Sequence, residues 1–190
     1  MCASSVITVS GLSGSGTTTV CELVAERSGF RYINAGAIFR TLAGEDGLSL
    51  AEFGQRAEAD AGVDRRLDDR LAREAAEEKG GVILEGRLTG WMSIRYQQEA
   101  LKVWLEADIE ARAKRVAGRE GQSPAEARLA IEQRERSEGI RYAANYGIDI
   151  RDLSPYDLVI DSVRHTPAEL AQRILADRRL VAETDPTVQL

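Results

Sequence analysis

Apolar residues fall along the chain in short unbroken runs, each separated from the next by a stretch with helical spacing. Val6–Ser10 (VITVS), Arg31–Asn34 (RYIN), Val82–Glu85 (VILE), Lys102–Glu106 (KVWLE) and Leu158–Asp161 (LVID) are four or five residues long. Runs of this kind are what strands buried on both faces of a parallel sheet look like. Between them, Thr17–Arg27 reads as a helix, and Gly36–Ala43 carries Ala37, Ile38 and Leu42 on one helical face. Ser49 with Glu52 forms a capping pair that opens the next helix, and residues 62–79 form a charged helix stopped by Gly80-Gly81. Asp108 caps a helix that runs to Gly118. Ser123-Pro124 with Glu126 opens a long Arg/Glu-rich helix to about Tyr142. Thr166-Pro167 with Glu169 repeats the pattern for a last helix ending near Arg179. The prediction is an α/β fold, a five-stranded parallel sheet flanked by helices. It forms one domain over residues 1–181, and the aperiodic tail 182–190 is expected to fray.

A length of 190 residues suits one domain, and 43% hydrophobic residues suffice for a core. The apolar runs are too short to span a membrane. Residues 1–5 lack the basic start of a signal peptide, so a cytoplasmic protein is expected. Cys2 and Cys21 are too few for a disulfide framework, and His165 is the only histidine, so no zinc site can be assembled. The net charge of -6 argues against binding to nucleic acid. Of 25 basic residues only Lys79, Lys102 and Lys114 are lysines, so no lysine precedes residue 79.

That imbalance matters at Gly11-Leu12-Ser13-Gly14-Ser15-Gly16-Thr17-Thr18, which follows the spacing G-x-x-x-x-G-K-[ST] except that Thr17 stands for the lysine. Glycines allow successive amides to turn toward phosphate oxygens, and the helix that follows adds its free amides and dipole. Thr18 takes the hydroxyl position that would face Mg²⁺. A plain Gly/Ser turn is the bland alternative, but a strand before the segment and a helix after it favour phosphate binding. A threonine carries no charge, so arginines or a metal must supply what the lysine supplies elsewhere.

GLSGSGTTT, YINAGAIFR, VILEGRLTGW, KVWLEADIEARAKRVAGREG and IRYAANYGIDIRDLSPYDLVID together resemble the archaeal-type cytidylate kinases over about residues 6–165. The resemblance implies a nucleoside monophosphate kinase that moves the ATP γ-phosphate to CMP or dCMP with Mg²⁺; a monomer is expected. It implies an acceptor-binding helical segment over 36–80 and a mobile lid over 119–150. Gly11, Ser13, Gly14, Ser15, Gly16, Thr17, Thr18, Thr19 and Arg115 would hold ATP. Asn34, Ala35, Gly36, Arg40, Arg87 and Glu138 would hold the acceptor, and Arg119, Arg134 and Arg141 would act in catalysis. The sequence departs from related bacterial enzymes at Ala35, where they have serine, and at Leu88, where they have aspartate.

Without the resemblance, the segment Glu106–Arg141 holds eight basic and eight acidic residues, a balance typical of a solvated face. That reading suits Arg112, Arg128 and Arg136. Arg115 with Arg119, and Arg134 with Glu138 and Arg141, instead share helical stripes, and guanidinium groups grip phosphate bidentately. Glu85 either holds a Mg²⁺-bound water or pairs with Arg87 or another arginine. Trp104 belongs to the core; Trp91 packs there too or lines the acceptor pocket. Another nucleotide or small metabolite as acceptor, or a binding module with weak catalysis, are the competing functions.

Overall fold

The computed structural model describes residues 5–78 and 80–177. Cys2, Lys79, Arg179 and the tail 182–190 lie outside them.

Five strands, β1 (Val6–Gly11), β2 (Arg31–Asn34), β3 (Val82–Glu85), β4 (Leu101–Glu106) and β5 (Leu158–Asp161), form one parallel sheet in the order β2-β3-β1-β4-β5. Every residue of β1 is buried, as a central strand covered on both faces requires. Alternate residues serve opposite faces. Ile7, Val9, Ile83, Leu101, Val103 and Leu105 face the first helix, α1 (Thr17–Ser28), and the last, α8 (Pro167–Leu175). Val6, Val82 and Leu84 face a cluster containing Ile38, Leu42, Phe53, Val63 and Leu71. These come from α2 (Ala35–Glu45), α3 (Leu50–Ala59) and α4 (Ala61–Ala76), the helices of the segment expected to take the acceptor. At full burial, such side chains each contribute roughly 1.5–3 kcal/mol.

The predicted capping boxes are formed at Ser49/Glu52, Ser123/Glu126 and Thr166/Glu169, each closing both reciprocal hydrogen bonds. Two helices outrun their predicted ends. The Asp108-capped helix, α6 (Ile109–Glu120), continues through Gly118 to a left-handed cap at Gly121; the long helix, α7 (Pro124–Tyr146), reaches a similar cap at Gly147. The charged helix stops at Ala76 instead of residue 79. The sequence reading missed α5 (Thr89–Arg95), a seven-residue helix whose Leu88 N-cap makes no side-chain capping bond. Cys21 is buried among α1 packing residues, and burial pushes its thiol well above its usual pKa, as expected of an inert thiol. Among the described residues no helix is long and apolar enough to cross a membrane.

Candidate active site

Parallel sheets gather functional groups at the carboxyl ends of their strands. Here β1 sits between β3 and β4, so the segment leaving it at Gly11 lies between the ends of both neighbours. Gly14 (φ 85°) and Gly16 (φ 92°) take left-handed backbone conformations, and the Ser15 N–H closes a turn onto the Leu12 carbonyl at 3.0 Å. A Cβ on Gly14 would stand 2.7 Å from the Arg112 carbonyl, so the loop and α6 approach too closely for any side chain. The loop feeds directly into the first turn of α1, which starts at Thr17 without a side-chain cap and so offers its amides to a ligand.

Three guanidinium groups grip the carbonyl side of this loop. Arg87 donates to the Gly11 carbonyl at 2.8 Å and to Ser13 Oγ at 2.9 Å. Arg112 donates to the Ser13 carbonyl at 3.2 Å. Arg115 reaches the Gly14 and Ser15 carbonyls at 3.3 and 3.2 Å, and it is anchored by the Ser162 hydroxyl and carbonyl. Bonds of this kind tie the loop carbonyls to cations and place positive charge beside the loop. Arg112 therefore does not belong to the solvated face predicted for it. It is 5% exposed, donates also to the Ala107 carbonyl and pairs with Glu135. Its position one turn before Arg115 was the signal that could have revealed it.

Glu85, ending β3, is the second focus. Its Oε1 accepts from Thr17 at 2.5 Å and Thr18 at 2.8 Å, and its Oε2 accepts from Tyr32 and Asn34. The register explains the convergence, because Asn34 pairs directly with Glu85 across β2 and β3. Burial first, and then the Glu85 carboxylate, raise the Tyr32 phenol far above its usual pKa. Glu85 thus serves hydroxyl and amide donors. The ion pair with Arg87 considered from sequence is not made, because Arg87 turns to the loop and to Glu138.

Beyond Arg87 lies a narrow cleft bounded by Ala35, Gly86, Asp64, Tyr142 and Tyr146. Asn34 caps α2 through a 2.8 Å bond from the Ala37 N–H, which fixes the Asn34-Ala35-Gly36 turn at the cleft mouth. Glu138 accepts from Arg87 Nε at 2.9 Å and from Arg134 Nε at 2.8 Å. Burial alone would raise the Glu138 pKa, but the two arginines hold it below the usual carboxylate value. Arg141 Nε stands 3.0 Å from Asp64 Oδ2, an ion pair that lacks a well-aligned hydrogen bond. Asp64 also accepts from Asn145 at 2.9 Å; burial raises its pKa and Arg141 opposes the rise.

The structure brings together Gly11, Ser13, Gly14, Gly16, Thr17, Thr18, Asn34, Ala35, Gly36, Glu85, Arg87, Arg115, Glu138 and Arg141 at this end of the sheet. The Ser15 side chain is buried beneath the loop with its hydroxyl unpartnered. Thr19 and Arg40 are exposed at its margin, the Arg40 guanidinium close to Gly36. None of the three expected catalytic arginines contacts the loop, and Arg141 pairs with Asp64 instead. Arg119 is 67% exposed and pairs with neighbouring Glu120; Arg134 projects outward and pairs with Glu138. Trp104 is core, and Trp91 packs against the same cluster. Asp64, Asp68, Tyr142 and Tyr146 were missed, because only tertiary packing brings α4 against α7.

A family model described as the cytidylate kinase-like family matches residues 6–164. A cytidylate kinase of Pyrococcus abyssi (strain GE5 / Orsay) is 51% identical over 162 residues, covering 85% of this chain and 87% of its own length. One from Methanococcoides burtonii is 48% identical over 159 residues, covering 84% and 88%. Among solved structures, a gluconokinase from Sinorhizobium meliloti 1021 superposes with a TM-score of 0.58 at 18% identity, covering 92% of this chain and 90% of that one. A shikimate kinase from Acinetobacter baumannii gives 0.57 at 16%, covering 90% of each. These two share the fold.

Proposed function

The chain belongs to the cytidylate kinase-like family, and from that premise we propose how its residues carry out transfer of the ATP γ-phosphate to CMP or dCMP. It is an ATP-dependent phosphotransferase acting on a nucleoside monophosphate. An oxygen of the acceptor phosphate forms a bond to the γ-phosphorus while the bond to the β,γ-bridging oxygen breaks, giving ADP and CDP or dCDP. The acceptor phosphate is already ionised, so no strong general base is needed. Catalysis rests on alignment and charge stabilisation.

The amides of residues 13–19 and the start of α1 cradle the donor phosphates, with Arg115 closing the loop side. Arg87 joins the two halves of the site. One guanidinium touches the donor loop at Gly11 and Ser13 and lines the acceptor cleft, so it stands where both phosphates must meet. Asn34, Ala35, Gly36, Arg40 and Glu138 border the acceptor. Arg141 stands behind the cleft wall on Asp64, while Arg119 and Arg134 reach the transferring group only as the lid over 119–150 closes and excludes water.

The oxygens of Thr18 and Glu85, 2.8 Å apart at the loop, fit Mg²⁺, a hard cation that keeps waters and takes phosphate oxygens. Thr18 would hold it directly and Glu85 through water; bound there, it would neutralise charge on the donor phosphates. The reading extends to an enzyme that acts as a monomer in the cytoplasm.

A coupled ADP-release assay with CMP, dCMP, UMP, AMP and GMP tests the function. Turnover is expected to be fastest with CMP or dCMP. Preference for any other acceptor would overturn the reading.

A further inference from the structure

The acceptor cleft does not end at Tyr142. Asp68, Leu71, Thr89 and Met92 line it and also line a second cavity of about 310 Å³ between α4 and α5. The two hollows therefore adjoin: a cation, Arg87, lines the first, and mainly aliphatic walls, including Leu71, Ala75 and Leu84, line the second. A nucleoside monophosphate has the matching polarity, anionic at one end and flat and apolar-faced at the other. Ala35 and Leu88, at the floor of the cleft, offer no side-chain polar group to a base edge.

Of the two carboxylates lining the hollows, Asp64 is taken up by Arg141 and Asn145. Asp68 is held by one bond, from the Tyr146 hydroxyl to Oδ2 at 2.5 Å, and no described residue donates to its Oδ1. That bond fixes the side chain, which burial and the tyrosine keep from swinging to solvent. We propose that Asp68 reads the acceptor base, its Oδ1 accepting a hydrogen bond from the exocyclic amine of cytosine seated between α4 and α5. The proposal rests on the kinase reading above and names what selects the base. Uracil presents a carbonyl oxygen where cytosine presents the amine, so two acceptors would face each other across the site. A site built around a hydrogen bond rejects a ligand lacking the donor far more strongly than a merely apolar pocket can.

The test measures kcat/KM for CMP, dCMP, UMP and 2-pyrimidinone ribonucleoside 5′-monophosphate, which lacks only the amine, on wild type and on Asp68→Asn. The wild type is expected to lose at least about tenfold without the amine. In Asp68→Asn the CMP:UMP ratio should fall at least about tenfold while the CMP:dCMP ratio stays fixed. An unmoved CMP:UMP ratio overturns the proposal, and so does a changed CMP:dCMP ratio alone, which would assign Asp68 to the ribose. If Asp68→Asn does not fold, the wild-type comparison decides, and undiminished turnover of the amine-free analogue overturns the proposal. A wild type active on CMP that fails these tests sinks the Asp68 assignment alone. A wild type inactive on CMP sinks the functional reading itself.

Discussion

The Arg87 guanidinium donates to the Glu138 carboxylate at 2.9 Å across 51 positions of sequence, tying a group bonded to the glycine-rich loop to the long helix α7. Glu138 also holds Arg134, so one carboxylate balances two cations that a phosphate would otherwise attract. An incoming anion must compete with it.

Replacing Glu138 by Gln removes that competitor. Inorganic phosphate should then inhibit several-fold more tightly, while kcat falls because Arg87 loses its tether. Inhibition and turnover measured on the same preparation check both halves, and an unchanged phosphate inhibition constant would refute the competition.

Arg87 itself contacts the loop and lines the cleft. Arg87→Ala should lower kcat/KM by roughly 10²–10³, the cost of removing one preorganised transition-state donor. Arg87→Lys should recover little, because an ammonium cannot reach Gly11, Ser13 and Glu138 in the same fork geometry. Steady-state kinetics with both nucleotides varied would show it.

Glu85 accepts four hydrogen bonds, from Thr17, Thr18, Tyr32 and Asn34. A glutamine has only one acceptor oxygen to offer these donors and turns an amide toward the rest. Glu85→Gln should raise the Mg²⁺ concentration needed for half-maximal rate and cut kcat about 100-fold. A wild-type Mg²⁺ titration curve in the variant would remove Glu85 from the metal's surroundings.

Arg112 is a stability prediction. Its removal leaves the Ser13 and Ala107 carbonyls and the Glu135 carboxylate without their donor. Arg112→Ala should cost about 3–5 kcal/mol, the range for breaking one side of a buried pair. Equilibrium urea unfolding measures it, and a change below about 1 kcal/mol would return Arg112 to the surface.

Asp68 supplies a pH dependence. Burial, only partly opposed by the Tyr146 hydrogen bond, raises its pKa from 3.8 to about 6; Asp64 and Asp69 add to the rise and Arg95 opposes it. The folded form binds this proton more tightly than the unfolded chain, so the Asp68 contribution to stability is full below pH 3.8. It falls as pH rises toward about 6. Asp68→Asn should therefore gain Tm relative to wild type at pH 7–8 and lose that advantage near pH 4. Thermal unfolding of both proteins across this range tests the sign.

The strands were legible because each is an unbroken apolar run whose ends are set by the sheet. The capping pairs at Ser49, Ser123 and Thr166 were legible because their partners lie three residues away. The helix over Thr89–Arg95 carried no such mark. Asn145 and Tyr146 meet Asp64 and Asp68 across 81 and 78 residues, a proximity no local pattern records. Arg112 was misread for a related reason. Charge balance along a helix says which residues are polar, and only the approach of the loop at Gly14 decides which of them is buried.

The charge beside the donor loop is carried by the guanidinium groups of Arg87, Arg112 and Arg115. A loop that relies on an ammonium loses its charge when the amine is acylated and begins to lose it as pH climbs toward 10. Guanidinium groups resist both changes. Amine-directed reagents at Lys102 and Lys114 would therefore leave the loop cations intact, making this site chemically refractory where a lysine-bearing relative would be open to silencing by acetylation.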